Sequence, residues 1–317
     1  MSSLIRRAII FHGNCCDGLG CAHLLAQESS IDSEYFPVSP SDPRTWPDPT
    51  PLADFAEIVF ADVCFPADAM MRYRAVAKSL LVIDHHPLAA TIVGECGCEG
   101  ITATDHCATW LVHQHLYPGK PIPHWIGFLD GIDNWRGITA EHRALRELWH
   151  PIARLAVNES PQVALLEFDH LLEDMETDEG WACAIVDGLA LVEKKTRQLS
   201  DQLDAAPRRI YKGLLPTWIG DVYVTNTSRE FIGSNEFDTT AASELVFQAH
   251  KDAVVFLNYH EVRWLHKGVQ HRKFVFHARA RDGSGVDLTQ CPILKGHPAA
   301  AGGQVTEEPG KSVLFVF

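Results

Sequence analysis

Short apolar runs alternate with helical patterns through roughly the first 90 residues of the chain. Each run has the length of a buried strand, and the segments between the runs are long enough for helices. We predict strands at 8–11, 34–38, 58–61 and 80–83, and helices at 16–26, 67–77 and 104–116. Because strands that alternate with helices form a parallel sheet covered on both faces, the predicted class is α/β with a doubly wound N-terminal sheet.

The length of 317 residues indicates about two domains. We assign residues 1–158 to the sheet domain, 159–206 to a helical linker and 207–317 to a smaller α/β domain. The linker starts with Ser160-Pro161, a serine cap followed by a proline in the first turn. Its helix is expected to kink or split at Gly180 and Gly188. In the last domain we predict strands at 217–225, 253–258 and 274–278 and a helix at 240–250.

The composition excludes several classes of protein. The 27 Lys and Arg against 41 Asp and Glu give a net charge of −14, so we expect no long nucleic acid as partner. No apolar run reaches the roughly 20 residues of a membrane span, and the N-terminal apolar segment is too short for a signal peptide. We therefore expect a cytoplasmic protein without membrane contact, whose nine cysteines are reduced thiols. A zinc site at Cys96, Cys98 and Cys107 is disfavoured by the poor spacing.

Titratable side chains follow three of the predicted strands. His12 and Asp17 follow the first, Asp62 follows the third, and Asp84-His85-His86 follow the fourth. In an open parallel sheet, the carboxyl ends of the strands meet at the edge where ligands bind. One such Asp alone is more often a helix cap, and one such His more often a packed side chain. Their convergence predicts a metal site, with donors that suit Mn, Fe, Zn or Co better than Ca.

Four segments, in this order and spacing, resemble the motifs of the DHH phosphoesterase superfamily: FHGNCCDGLGCA, FADV, VIDHHP and LDGIDNW. The later segment KGHPAAAGG resembles the glycine-rich signature of the substrate-binding domain associated with DHH domains. The resemblance extends from residue 8 to about residue 305. Relatives in this superfamily include RecJ-type single-strand exonucleases, small-oligonucleotide ribonucleases, nucleotide bisphosphate phosphatases and, more distantly, manganese pyrophosphatases.

The resemblance implies a role for each matching residue. Asp62 would bridge two metals, Asp84 would hold the imidazole of His85, and His86 would face the phosphate. The implied metal ligands are His12, Asp17, Asp62, His85 and Asp133, with Asp130 as the alternative to Asp133. The expected cofactor is Mn²⁺, as one or two ions, with Mg²⁺ and Co²⁺ as alternatives.

The first motif departs from the superfamily pattern at one position. The family commonly has two aspartates, as DxDG, whereas this chain has Cys15 before Asp17, with Asn14 beside it. One metal would therefore bind more weakly, or use Cys15 or water as a ligand.

The C-terminal domain contains the expected substrate-binding residues. Between 263 and 281 there are six basic residues and no acid, namely Arg263, Lys267, Arg272, Lys273, Arg279 and Arg281. Such a concentration suits a substrate that carries phosphate, although about half of these residues could simply be a solvated strand pair. The resemblance places substrate contacts at Arg279, Gly296, His297, Gly302 and Gly303.

The expected function is a manganese-dependent phosphoesterase that cleaves phosphodiester or phosphomonoester bonds of short nucleotides or oligonucleotides. Two alternatives stay open. The chain could be a nucleotide-binding regulator with impaired catalysis, which the Cys15 departure favours, or an enzyme similar to pyrophosphatases. The sequence leaves a homodimer open as well.

Overall fold

The computed structural model describes residues 5–134, 136–212, 220–228, 237–266, 269–291, 293–297 and 300–307. They form two compact units, Met1–Val192 and Glu193–Phe317. Five residues of the sequence motifs and of the basic segment 263–281 lie outside the described residues: Trp135, Lys267, Gly268, Pro298 and Ala299. Within the described part, no helix is both long enough and apolar enough to cross a membrane.

The first unit contains a parallel sheet, which confirms the α/β class. Its described strands are β1 (Ile5–His12), β2 (Ile31–Val38), β3 (Glu57–Ala61), β4 (Leu80–Asp84) and β5 (Glu99–Thr102). They are hydrogen-bonded in the order β2-β1-β3-β4-β5, and every pair is parallel. The chain therefore runs outward in one direction from β1 to β2 and in the other from β3 onward, which makes the β1–β3 junction the switch point of the sheet.

Helices cover both faces of this sheet. They are α1 (Cys16–Ala26), α2 (Pro49–Leu52), α3 (Ala67–Val76), α4 (Ala89–Cys96), α5 (Ala108–Leu116), α6 (His124–Asp133), α7 (Ala140–Asn158), α8 (Pro161–Asp174) and α9 (Asp178–Ala205). Successive side chains of β1 point to opposite faces, so Ile9 packs in one core with α1, α5, α7 and α8 and Ile10 in the other with α2 and α3. The sheet is therefore doubly wound, as predicted.

Some predicted helices and strands agree closely with the structure, and others differ from it. Helix α1 begins and ends at the predicted residues, and β1, β3 and β4 contain the predicted strands. The predicted helix at 104–116 was too long at its start, because α5 begins only at Ala108. The sequence analysis did not predict α4, β5, α6 or α7.

The segment at 159–206 is helical, but it is interrupted between Asp174 and Asp178 and not at a glycine. The hydroxyl of Ser160 accepts a hydrogen bond from the amide of Val163, as expected of a helix cap. The interruption lies between α8 and α9, and α9 runs through both Gly180 and Gly188. Gly188 instead permits close contact with α7, because a Cβ there would lie 2.4 Å from the Ala144 carbonyl oxygen. Phe168 of α8 is buried in the core of the first unit, and the boundary between the units falls after Val192.

The second unit contains a mixed sheet with a helix. The described elements are β6 (Arg208–Lys212), β7 (Asp221–Asn226), α10 (Thr239–Ala249), β8 (Ala253–His266), β9 (Val269–Ala280), β10 (Lys295–His297) and β11 (Ala300–Glu307). The strand order is β10-β11-β9-β8-β7-β6. Among the described pairs only β7 and β8 are parallel. The expected strands within β7, β8 and β9 are present, whereas β6, β10 and β11 were not predicted; residues 217–219 lie outside the described part.

Candidate metal centre

Three strands deliver side chains to the switch point of the parallel sheet. His12 is the last residue of β1, Asp62 directly follows β3, and Asp84 ends β4 with His85 next in sequence. Because β1, β3 and β4 are adjacent and parallel, these residues lie at one edge of the sheet.

Asp62 is the centre of the cluster. Its side chain is 1 % exposed, and neither carboxylate oxygen has a hydrogen-bond partner among the described residues. The two oxygens face different imidazoles: Oδ2 lies 3.3 Å from Nδ1 of His12, and Oδ1 lies 3.4 Å from Nε2 of His85. The backbone of Asp62 has a φ of 59°, in the left-handed region that residues other than glycine rarely adopt. This geometry is held by a hydrogen bond from the Asp62 amide to the Ile83 carbonyl, at 2.9 Å.

A first donor set surrounds His85. Its Nε2 lies 3.2 Å from Oδ2 of Asp133 and 3.8 Å from Oδ2 of Asp17. One donor atom from each of these three residues falls within 4.8 Å of the others. Asp133 belongs to the last turn of α6, so the fourth motif contributes the residue that the sequence analysis preferred.

A second donor set lies at the end of β1. Ligand atoms of His12, Cys15 and Asp62 lie within 4.8 Å of one another. Asn14, with a φ of 60°, turns the chain between β1 and α1. Gly18 allows the first turn of α1 to approach β1, because a Cβ there would lie only 2.2 Å from the His12 carbonyl oxygen. The loop thus brings a thiol close to the imidazole of His12 and the carboxylate of Asp62.

The N-terminus of α5 holds Asp17 in place. The two carboxylate oxygens of Asp17 accept hydrogen bonds from the amides of Ala108 and Thr109, each at 2.8 Å. The Thr109 hydroxyl in turn donates to the backbone carbonyl of Asp17, also at 2.8 Å. Sequence analysis missed this support because no local signal links residues about 90 positions apart.

Asp84 has a different partner from the expected one. Its Oδ1 accepts hydrogen bonds from the backbone amide of His86, at 3.1 Å, and is 2.7 Å from the ring Nδ1 of the same residue. The expectation that Asp84 holds His85 is therefore corrected: the described contacts join Asp84 to His86, because the turn after β4 folds His86 back over the carboxylate. His86 is 49 % exposed, so its other ring nitrogen is free to face a ligand.

Asp130 lies outside these two donor sets and outside a third group of donor atoms within 4.8 Å of one another, which consists of Asp62, Asp84, His85 and His86. Its carboxylate accepts hydrogen bonds from the amide of Cys107, at 2.6 Å, and from the side chain of Asn134, at 2.9 Å. Its other oxygen lies 3.1 Å from Nδ1 of His106. Asp130 thus fixes the residue before α5 rather than contacting the cluster, and Asp133 is the metal-ligand candidate of the fourth motif.

Five acidic or imidazole groups in the cluster have pKa values above their ordinary values. For His12, burial opposes protonation, but the carboxylate of Asp62 outweighs it and raises the pKa. Burial and the neighbouring charges of Asp62 and Asp133 raise the pKa of Asp17 to about 8. Burial and the charge of Asp62 raise the pKa of Asp133 to about 6. Burial opposes protonation of His85, but the carboxylates of Asp62, Asp133 and Asp17 outweigh it and raise its pKa to about 10. The pKa of His86 is raised to about 9, mainly by the hydrogen bond with Asp84.

The pKa values of Asp62 and Cys15 are shifted in opposite directions by burial and by the neighbouring charges. Burial alone would raise the pKa of Asp62, but His12 and His85 lower it below its ordinary value. Burial and the charges of Asp62 and Asp133 raise the pKa of the Cys15 thiol well above its ordinary value. Negative charge is therefore concentrated on Asp62, between the two imidazoles.

The donor chemistry fits divalent cations. A buried carboxylate without hydrogen bonds is costly, and cations beside each oxygen would satisfy it. The mixture of imidazole, carboxylate and thiol suits Mn²⁺, Fe²⁺, Co²⁺ or Zn²⁺ better than Ca²⁺, which prefers oxygen ligands alone.

The other cysteines form no comparable site. All nine cysteines are described, and all are free thiols. Cys96 and Cys98 pack on one face of the parallel sheet, whereas Cys107 belongs to the core on the other face. A zinc ion shared by these three thiols is therefore excluded by their positions.

The predicted substrate residues of the second unit lie on neighbouring strands. In the backbone register, His297 of β10 pairs with Ala300 of β11, which pairs with Arg279 of β9. The guanidinium of Arg279 donates to the hydroxyl of Thr240, at 3.0 and 3.1 Å. Gly296 lies in β10, and Gly302 and Gly303 lie in β11. Gly303 permits a close approach, because a Cβ there would lie 1.8 Å from the Ile293 carbonyl oxygen.

Several residues of the basic segment have structural partners. Arg281 donates to the carbonyls of Ala253, Phe247 and His250, and so caps the end of α10. Arg263 donates to Glu261 at 2.7 and 3.0 Å. Arg279 has a structural partner as well, the hydroxyl of Thr240, so its candidacy for a contact with substrate rests on the resemblance of the sequence motif.

A scan against protein-family models gives no match, and a search of curated proteins finds no match either.

Proposed function

We propose that the chain is a divalent-cation-dependent phosphohydrolase that cleaves phosphodiester or phosphomonoester bonds of short nucleotides or oligonucleotides. The observation that carries the proposal is Asp62, whose two buried oxygens face two imidazoles and lack hydrogen bonds. The order and spacing of the sequence motifs support membership in the DHH phosphoesterase superfamily.

The two donor sets would hold the cations. One set consists of Asp17, His85 and Asp133, and the other of His12, Cys15 and Asp62. Mn²⁺ is the expected ion, with Mg²⁺ and Co²⁺ as alternatives. When bound, such cations lower the pKa of a coordinated water and stabilise the charge that develops on a phosphoryl group.

His86 would bind the phosphate of the substrate. Its ring is half exposed, and the hydrogen bond with Asp84 fixes its orientation. The hydrogen bond with Asp84 raises the pKa of His86 to about 9 in the metal-free chain, and this favours the charged imidazolium, which suits a non-bridging phosphate oxygen. Asp84 acts as its positioning residue.

Short substrates suit the charge of the molecule. A net charge of −14 disfavours a long polyanion, whereas a single phosphate needs only a local cationic group. Arg279 and His297 of the second unit are the substrate contacts that the sequence resemblance implies. The free thiols favour a reducing compartment, and we place the protein in the cytoplasm.

The test is hydrolysis of bis-p-nitrophenyl phosphate and of a 5′-labelled dinucleotide by the purified chain, with Mn²⁺ and after treatment with a chelator. Activity should require the metal and fall by more than about 100-fold in Asp62→Asn, since even residues that only support metal ligands cost roughly 10–100-fold. Asp68→Asn, at an exposed acid in the first turn of α3, is the matched control and should retain activity. Undiminished hydrolysis by Asp62→Asn contradicts the proposal, and hydrolysis of pyrophosphate alone favours the pyrophosphatase-like alternative.

A further inference from the structure

The two donor sets around Asp62 differ in chemistry. The set of Asp17, His85 and Asp133 offers one imidazole nitrogen and two carboxylates. The set of His12, Cys15 and Asp62 offers an imidazole nitrogen, a thiol sulfur and a carboxylate oxygen. A thiolate ligand selects softer ions such as Zn²⁺ and Co²⁺, whereas carboxylates suit Mn²⁺ and Mg²⁺.

We propose that Cys15 binds a cation as a thiolate, so that the His12–Cys15–Asp62 position selects Zn²⁺ or another borderline ion, while the Asp17–His85–Asp133 position takes Mn²⁺ or Mg²⁺. The inference rests on the proposed function for the shared use of Asp62, and it adds a different ion preference at each position. On binding, the S–H bond of Cys15 is replaced by a sulfur–metal bond, and the proton passes to solvent.

Two independent features of the structure support a ligand role for Cys15. The first is Asp62, an almost fully buried carboxylate whose oxygens have no hydrogen-bond partner and whose Oδ2 faces His12 of the same donor set. The second is the contrast with the adjacent Cys16, which is buried in the hydrophobic core, whereas Cys15 belongs to none of the described core clusters. The turn after β1 thus directs one of two neighbouring thiols into the core and the other to the carboxylate.

The experiment is a titration of the metal-free full-length chain with Co²⁺, followed by absorption spectroscopy. A thiolate bound to Co²⁺ gives a charge-transfer band in the near ultraviolet that oxygen and nitrogen ligands do not give. The band should be present in the wild type, absent in Cys15→Ser, and retained in Cys98→Ser. Cys98 is the matched control because it and Cys96 are the neighbouring pair of thiols outside the site.

Affinity measurements separate loss of the ligand from loss of the fold. Cys15→Ser should weaken the binding of Zn²⁺ by at least about 10–100-fold, while its binding of Mn²⁺ changes little. Cys15→Asp should lose the band and still bind Mn²⁺. Wild-type Co²⁺ binding without the band, or a band that persists in Cys15→Ser, overturns the proposal.

The outcome is independent of turnover. A band that depends on Cys15 in a chain without hydrolase activity supports the thiolate ligand and contradicts the proposed function. Hydrolysis with Mn²⁺ in a chain that shows no band supports the function and overturns the thiolate ligand.

Discussion

Asp62 combines two features that each cost free energy. A residue other than glycine in the left-handed region costs roughly 1–2 kcal/mol, and a buried carboxylate without hydrogen bonds adds a desolvation penalty. Both costs are concentrated at one residue, at the switch point of the sheet. Backbone strain and a buried charge at a single position are typical of functional sites; here the imidazoles of His12 and His85 offset part of the cost of the charge, and a bound cation would offset more.

Asp84 should act through His86. Asp84→Asn removes the largest cause of the raised pKa of His86, so this pKa should fall from about 9 toward its ordinary value. Hydrolytic activity should fall by roughly 10–100-fold, as for other residues that orient a functional imidazole. An NMR titration of the His86 ring measures the shift. An unchanged His86 pKa in a folded Asp84→Asn protein would show that the carboxylate does not position the ring.

Binding of the cation should release protons. Without a cation, burial and the neighbouring carboxylates raise the pKa of Asp17 to about 8, and the carboxylates raise that of His85 to about 10 against burial, so the cluster holds protons at neutral pH that a cation would displace. Since ligands bind metal in the deprotonated form, affinity for Mn²⁺ should increase as the pH rises from about 6 to about 9. Calorimetry in buffers of different ionisation enthalpy should give at least one released proton near pH 7 and fewer near pH 9. Affinity that falls with rising pH over this range would argue against these ligands.

At the scale of the elements, α1 and α5 support each other and the site. Asp17, in the first turn of α1, accepts hydrogen bonds from the amides at the start of α5. A carboxylate at a helix N-terminus is stabilised by the helix dipole. The same contact that begins α5 therefore also fixes a proposed metal ligand.

Close packing of α1 against β1 should be essential to the site. Gly18→Ala would place a Cβ 2.2 Å from the His12 carbonyl oxygen, so we expect a loss of roughly 1–3 kcal/mol in unfolding free energy and weaker Mn²⁺ binding. Gly94→Ala is the matched control, because it is also in a helix and has no atom within 4 Å of its added Cβ. That variant should be unchanged or more stable by up to about 1 kcal/mol. Denaturant unfolding and Mn²⁺ titration compare the two; equal stability of both variants would contradict the close-packing argument.

Some of the helices and strands could be predicted from local sequence patterns, and others could not. Apolar runs and their flanking polar residues were sufficient to predict β1, α1, β3 and β4, and with them the meeting of His12, Asp62 and His85. The later start of α5 and the uninterrupted α9 depend on contacts between distant segments, such as Asp130 with Cys107 and Gly188 with Ala144. The partner of Asp84 depends on how one turn folds, which the order of residues does not specify.

At the scale of the whole molecule, the two units carry different parts of the proposed chemistry. All donor residues of the metal centre belong to the first unit, and Arg279 belongs to the second. The functions of binding cations and of binding substrate are therefore separable by mutation.

Arg279→Gln should weaken substrate binding without changing cation binding. Loss of a charged hydrogen bond is worth roughly 1.5–3 kcal/mol, so KM for a dinucleotide should rise by about 10–100-fold. Affinity for Mn²⁺ should not change, because no metal donor is altered. Steady-state kinetics measures KM, and calorimetry measures the affinity for Mn²⁺. An unchanged KM would remove Arg279 from the substrate site.

The most direct measurement is anomalous diffraction from crystals of the full chain grown with Mn²⁺. We expect anomalous density beside Asp62, in contact with an Asp62 oxygen and with His85, Asp17 and Asp133. Crystals without such density, in which His12, Asp62 and His85 bind no ion, would contradict a metal centre at this edge of the sheet and the hydrolase proposed from it.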